Sequence, residues 1–399
     1  MATALSALGA MVALSVGLPP TASADDVQSQ QWYLSAMKAD QMWKVSTGEG
    51  VKVAVIDTGV NPSTPSLKGQ VLTSDVPSSV SYAATKDYVG HGTSMSEMIA
   101  GTGADGGLKG LAPGAKIVPF RGTTKGLSKA EEKKTPSLAA IIRAAADTDA
   151  KIISMSIGSE SSSPEEEAAV KYAHSKGKLM FAATGNDAAT EKQTVLYPAA
   201  YPYVVGVAAS DKTGTVGKFS QYGSAVDLAA PGLDLPTWCD AKFTSYCPHT
   251  QGTSSATAIA SASAALIWSA HPDWTANQVL RSLIDTAGRS WPKDHPSNYL
   301  GYGLVRPRMV LQNGSYNPGP AGTDPLAKED ALDPEGSPST SASATSQPSK
   351  TTADGGTSAA GSSAKSSGSS TTWVAVGAAA AVLVIGGVAF VVVRSRRRA

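Results

Sequence analysis

Between about Gln31 and Gln312 the chain alternates short, continuous apolar runs with longer stretches of helical periodicity. The apolar runs are Val51 to Ile56, Ile117 to Phe120, Ile152 to Ile157, Leu179 to Ala183 and Val204 to Val207. None alternates apolar with polar, as a strand with one wet face would, so each is expected to be buried on both faces. Helical stretches lie at His91 to Ala100, Ser137 to Ala146, Pro164 to Ser175 and Ser255 to Ala270. This alternation predicts an α/β fold in which helices cover a mainly parallel sheet. No internal repeat is present.

The pattern changes at both ends. Residues 1–24 form an apolar stretch ending in Ala22-Ser23-Ala24, a small-residue cleavage site of the secretory type. The usual positive n-region is missing, which points to a start further upstream; an apolar N-terminus on a cytosolic protein is the competing reading. From Tyr316 to Thr372, Ser, Thr, Pro, Gly and Ala dominate and periodicity is lost. Such a composition predicts a disordered tether, with a span on the order of 40 Å for a flexible coil. Trp373 to Val393 is then an uninterrupted apolar run followed by Arg394-Ser395-Arg396-Arg397-Arg398. As a helix it would reach about 32 Å, enough for a hydrocarbon core, and the arginines place its end in the cytoplasm. A cleaved lipid-anchor signal is the alternative, and the basic end argues against it. The expected organisation is a signal peptide at 1–24, a folded domain at 25–315, a linker at 316–372, a transmembrane helix at 373–393 and a basic tail at 394–399.

Composition narrows the function classes. A formal net charge of +1 and only 16% charged residues give no electrostatic case for nucleic acid. The two cysteines, Cys239 and Cys247, form an isolated close pair that in an exported chain reads as a disulfide. The loop it closes would contribute roughly 2.5 kcal/mol through chain entropy, pinning the segment ahead of Ser254. Two thiolates with only His249 nearby do not fill a tetrahedral zinc shell. No metal and no cofactor are called for. The Lys/Glu-rich stretch from Lys125 to Lys134 reads as a solvated loop.

Three strings carry the chemistry: VAVIDTGV around Asp57, HGTSMSEMIAG from His91, and QGTSSATA around Ser254. They place an acid, a base and a hydroxyl nucleophile in the order Asp, His, Ser, one of the known orders of the hydrolytic triad. Asp57 closes an apolar strand, at the usual ligand face of an open α/β sheet. His91 opens a helix between glycines and suits a general base. Ser254 stands ahead of an Ala/Ser-rich helix, with its hydroxyl and N–H at the positive helix end. Asn186, in FAATGND, is expected to donate to the oxyanion beside the Ser254 N–H. Of the other histidines, His249 is the serious competitor but sits in a Cys-Pro-His-Thr loop; His174, His271 and His295 read as surface or turn residues.

These strings resemble those of the subtilase family, and the similarity extends from about Trp32 to Pro307. Trp43 to Gly48 resembles the lead-in to the acidic strand, and Tyr197 to Asp211 and Phe219 to Gly232 also fall where subtilases carry similar segments. Ser154, Met155, Ser156, Ile157 and Gly158 resemble the strand that walls the substrate cleft. By that resemblance the fold is a three-layer sandwich, the activity is serine endopeptidase, and extended polypeptide adds strand-wise to the cleft. The depth of the side-chain pocket is set by how Ser154 to Gly158 faces Ala182 to Asn186. The leader, the cysteine pair, the tether and the C-terminal run resemble the mycosins, membrane-anchored subtilases of actinobacterial type VII secretion systems. That implies a cell-membrane location, the catalytic domain outside, and contact with secretion machinery. Only about 25 residues separate the expected cleavage site from the lead-in, short for a folding-assisting propeptide. A general extracellular or maturation subtilase, or a largely non-catalytic subunit of a secretion complex, are the alternatives. Four positions depart from the family pattern: Glu97 with Ser96, Thr184, Ser255 and Ala258. A carboxylate at 97 needs a partner or water. The stretch Gly101 to Gly110 is short for the calcium loop of many secreted subtilases, so that site is expected to be absent.

Overall fold

In the computed structural model, residues 27–190 and 194–327 are described. Six parallel strands form one sheet: β1 (Lys52–Asp57), β2 (Lys116–Arg121), β3 (Ile152–Met155), β4 (Leu179–Ala183), β5 (Val204–Ser210) and β6 (Leu228–Pro231), in the order β2-β1-β3-β4-β5-β6. The main helices are α1 (His91–Ala100), α2 (Leu138–Asp147), α3 (Pro164–Ser175), α4 (Thr253–Ala270) and α5 (Ala276–Thr286). Alternate residues of each strand feed two cores. Val53 and Val55 pack with α1, α4 and α5 on one face, while Ala54 and Ile56 pack with α2 and α3 on the other. Burial on both faces explains the unbroken apolar runs.

The helix α4 is enclosed on every side, from Thr253 to Trp268. Its Ala and Ser residues are small enough for sheet and helices to approach from all directions, the mark of a helix buried all round. Ser255, Ala258 and Thr184 lie in this interior, and Thr184 donates to Val207 O at 3.2 Å.

Sequence and structure part at several points. The strand from Ile152 stops at Met155, and residues 156–158 continue as loop. The nucleophile helix begins at Thr253, so Ser254 sits in its first turn, not before it. The Lys125–Lys134 stretch holds a helical turn, Lys129–Glu132, closed by a Ser128–Glu131 capping box. The short strand β6 and the hairpin of β7 (Leu235–Trp238) with β8 (Tyr246–Thr250) were not expected. Their sequences LAAP, LPTW and YCPHT are short and proline-bearing, so β periodicity does not show. The helix α5 was also missed, although Thr275 and Gln278 form a capping box that marks its start. The folded part runs past the expected linker boundary at 316. Leu326 is buried, and Arg281 Nη1 donates to Pro318 O at 3.0 Å and Pro320 O at 2.9 Å. A single guanidinium gathers carbonyls there that no periodicity announces. The calls for residues 1–24, 373–393 and 394–399 lie outside the described residues.

Cys239 and Cys247 are bonded and staple the β7–β8 hairpin, with their Cα atoms 4.9 Å apart. The hairpin rests on α1, where Trp238 N–H donates to Ser94 Oγ at 2.9 Å. Glu97 finds its partners at this contact. Its Oε1 accepts from Thr64 Oγ1 at 2.7 Å and its Oε2 from Tyr246 OH at 2.9 Å. The Gly101–Gly110 loop closes through a Thr102–Lys109 bridge, and Gln28 Nε2 donates to Gly103 O at 2.8 Å and Gly107 O at 3.0 Å.

Candidate active site

The sheet order makes β1 a point of reversal: β2 flanks it on one side and β3 on the other. In open α/β sheets ligands bind beyond the carboxyl ends of strands at such a reversal. A cleft of about 490 Å³ opens there, bordered by Asp57 at the end of β1, Ser156 to Gly158 after β3, and Asn186 after β4. His91 and Ser254 reach the same cleft from the first turns of α1 and α4.

Asp57 is fully buried, and its Oδ1 accepts from Thr58 N–H at 2.6 Å and contacts His91 Nδ1 at 2.7 Å. A bond to the carboxylate fixes Nδ1 as the protonated nitrogen and leaves Nε2 as the acceptor. The approach of α1 to β1 depends on Gly92, where a Cβ would lie 2.2 Å from Gly59 O and 3.0 Å from Asp57 Cβ. No side chain fits between them.

The start of α1 is held by a carboxylate that the motif reading did not single out. Asp87 Oδ1 accepts from Thr58 Oγ1 at 2.8 Å and Gly90 N–H at 2.8 Å, and Oδ2 from Thr93 N–H at 2.9 Å. Thr58 Oγ1 in turn accepts from Gly92 N–H at 2.9 Å. Arg121, also missed and fully buried, balances these anions and donates to Ala83 O and Thr123 O at 3.3 Å. Neither residue lies in one of the motif strings; each ties its own loop to a segment distant in sequence, Asp87 to Thr58 and Arg121 to Ala83. Burial pulls the pKa of His91 down, but the Asp57 charge, the Asp57 hydrogen bond and the Asp87 charge together outweigh it. The ring therefore titrates above the ordinary histidine value.

Asn186 is oriented by the residue before Ser254. Its Oδ1 accepts from Thr253 N–H at 2.9 Å and from Thr253 Oγ1 at 3.0 Å, which leaves the Nδ2 amide free to face the cleft. A point at the Cβ position of Gly252 lies 3.8 Å from both Asn186 Nδ2 and Ser254 N, so the two donor nitrogens border one region. Ser254 is at N2 of α4, where the helix ladder provides its N–H no acceptor.

Of the five residues expected to wall the cleft, Ser156, Ile157 and Gly158 do so. Ser154 and Met155 instead lie buried within β3, a correction that follows from the strand ending at Met155. The competing histidines stand elsewhere. His249 is on the exposed strand β8 beside Asp234, not in a loop, His174 stacks on Tyr203 and His271 on Trp274. His295 is 80% exposed. Among the described residues no group of three or more His, Cys, Asp or Glu side chains is arranged to hold a metal ion.

A model of the subtilase family matches residues 48–303, a span that contains every residue of this cleft. The chain belongs to the subtilase family. It is a serine endopeptidase of the subtilisin type. Subtilisin Savinase of Lederbergia lenta is 34% identical over 280 residues, covering 70% of this chain and 97% of that protein. Among solved structures, MycP1 from Mycobacterium smegmatis is similar at 27% identity and a TM-score of 0.59, covering 73% of this chain and 86% of that one. The MycP3 protease from the type VII (ESX-3) secretion system is 30% identical with a TM-score of 0.57, covering 70% and 87%. The fold of this subtilase is thus the mainly parallel α/β arrangement expected from its strand pattern.

Proposed function

We propose that this subtilase is a membrane-tethered, extracellular endopeptidase of the mycosin type, working through Asp57, His91 and Ser254 in association with type VII secretion machinery. The observation that carries the catalytic part is the 2.7 Å contact of His91 Nδ1 with Asp57 Oδ1, in a cleft that also holds Ser254 and Asn186. Similarity to MycP1 and MycP3 supports the secretion role. The apolar run Trp373 to Val393 and the arginines after it support the tether.

In this reading His91 Nε2 takes the Ser254 hydroxyl proton as Oγ bonds to the scissile carbonyl carbon. The carbonyl electron pair moves onto oxygen, which accepts hydrogen bonds from Asn186 Nδ2 and the Ser254 N–H. The imidazolium gives its proton to the departing amine as the C–N bond breaks. Water then repeats the sequence on the acyl-enzyme and releases the acid. Asp57 keeps Nδ1 protonated and stabilises the imidazolium without taking its proton.

The test is fluorophosphonate labelling of the full chain beside Ser254→Ala. Labelling of the native chain that the variant loses is the expected result. A folded native chain that takes no label would replace this reading with that of a structural subunit. Co-purification of the chain with membrane transport components is expected as well; its absence would leave a general extracellular subtilase.

A further inference from the structure

The sheet order sets a loop on either side of Asp57. Gly122, Thr123 and Lys125 follow β2, Ser156 to Ser159 follow β3, and both groups border the cleft. A polypeptide cut in its interior at Ser254 must pass between these two rims. The β3 rim is anchored by backbone, since Ser159 and Tyr197 exchange two hydrogen bonds of 2.8 Å. The β2 rim is held differently. Past Gly122, whose N–H donates to Asp57 O at 2.8 Å, the rim folds on itself through Lys125 N–H to Thr123 Oγ1 at 3.2 Å. Among the described residues, the hydrogen bonds that tie 123–125 to anything outside their own loop come from Arg121.

Arg121 ends β2 opposite Asp57 in the ladder, and its side chain is fully buried. Its hydrogen bonds all go to backbone carbonyls. Nη1 donates to Thr123 O at 3.3 Å and Lys125 O at 3.4 Å, Nε to Ala83 O at 3.3 Å, and Nη2 to Lys86 O. The Ala83 and Lys86 carbonyls are themselves fixed against the turn that leaves β1. A Cβ on Gly59 would lie 2.8 Å from the first and 2.5 Å from the second. One edge of the guanidinium thus rests on the loop that runs into Asp87 and His91, while the remaining nitrogen carries the rim. A planar fork of five donors can serve both loops at once, whereas a lysine ammonium is a point charge with three. Burying a charge costs free energy that neutral carbonyls return only in part, so the arrangement is explained by the loops it joins. We propose that Arg121 is a positioning residue that sets the β2 rim at the spacing an extended peptide needs, and so governs how strongly the enzyme gains from substrate length. The inference rests on the catalytic reading above.

The experiment uses the full chain and one peptide that the native enzyme cuts, trimmed to capped forms of eight, four and two residues around the same scissile bond. Fluorophosphonate labelling of Ser254 runs alongside. The native enzyme is expected to gain in kcat/KM with each extension. Arg121→Lys keeps the charge near Asp57 and Asp87 but cannot span both loops. It should cut the ratio of kcat/KM for the eight-residue peptide over the two-residue peptide by about tenfold, roughly the worth of one hydrogen bond, with the loss in KM. Gly126→Ala disturbs the same rim without touching Arg121. Gly126 has a φ of +83°, and a Cβ there would lie 3.0 Å from Val89 Cγ2 and 3.2 Å from Tyr88 Cβ. It should lower the ratio in the same direction, and it decides if Arg121→Lys fails to label. A labelled Arg121→Lys that loses the same factor at every length overturns the proposal, because a merely structural role would do that. So does a native enzyme indifferent to length, or one that labels yet cuts no peptide. Failure of both variants to label would place Arg121 in the fold, not in the rim, and overturns it as well. Absence of labelling in the native chain would instead strike the catalytic reading on which the proposal stands.

Discussion

Each group in the cleft carries a separable expectation at the residue scale. On the proposed mechanism Asn186 contributes one donor to a developing oxyanion, while its own oxygen is tied to Thr253. Asn186→Ala should therefore lower kcat by about 10²–10³ and leave KM within a few-fold; an equal loss in KM would show a substrate-binding role instead. On the same mechanism His91 must be neutral to accept the Ser254 proton, and the Asp57 and Asp87 charges hold its pKa above the ordinary value despite burial. Activity should thus fall on the acid side with a midpoint above about 6.5. A limb centred below that in kcat/KM would contradict the electrostatics. Asp57, His91 and Ser254 were legible in sequence as candidates because each sits in a stereotyped local string. Asp87 and Arg121 were not, because their effect shows only once β1, α1 and the loop between them are brought together.

The contact of α1 with the β7–β8 hairpin is where an unexpected residue becomes a design feature at the scale of elements. Glu97 is fully buried, burial drives its pKa up to about 7, and the Thr64, Tyr246 and Trp238 donors only partly offset this. Among the described residues no cation appears beside it; Tyr246 is the titratable group that faces it. Between pH 4.5 and about 7 the folded chain holds a proton at Glu97 that the unfolded chain has released. Stability from this group is full below that window and falls as pH rises through it, by about 3 kcal/mol at most. Glu97→Gln cannot ionise, so its urea midpoint should change less than that of the native chain between pH 5 and pH 8. Equal changes in the two proteins would remove Glu97 as the cause. This hairpin also shows why some elements escaped the sequence. The strands of the sheet are buried on both faces and announce themselves as apolar runs, whereas β7 and β8 are held by a disulfide, a stacked Trp238–Tyr246 pair and hydrogen bonds to α1. None of these leaves a periodic trace.

For the whole molecule, the described fold ends at residue 327. Each residue of the cleft lies before that point, and so do the carbonyls of 318 and 320 that Arg281 gathers and the buried Leu326. Chemistry and stability should therefore be complete without residues 340–399. The proposed membrane attachment rests on the apolar run Trp373 to Val393, whose length suits a single span. A chain ending at Ser339 should label with fluorophosphonate at the native rate and appear in the soluble fraction, while the full chain should resist carbonate extraction from membranes. A full chain released by carbonate would remove the tether from the proposal and leave the cleft untouched. A shortened chain that folds but no longer labels would show that residues 340–399 are needed for activity. Cutting instead at Tyr316, where composition alone places the domain boundary, should cost stability. That cut takes away the carbonyls that Arg281 binds and uncovers the core beneath Leu326, so the difference between the two cuts measures what the segment from 316 to 339 contributes to the fold.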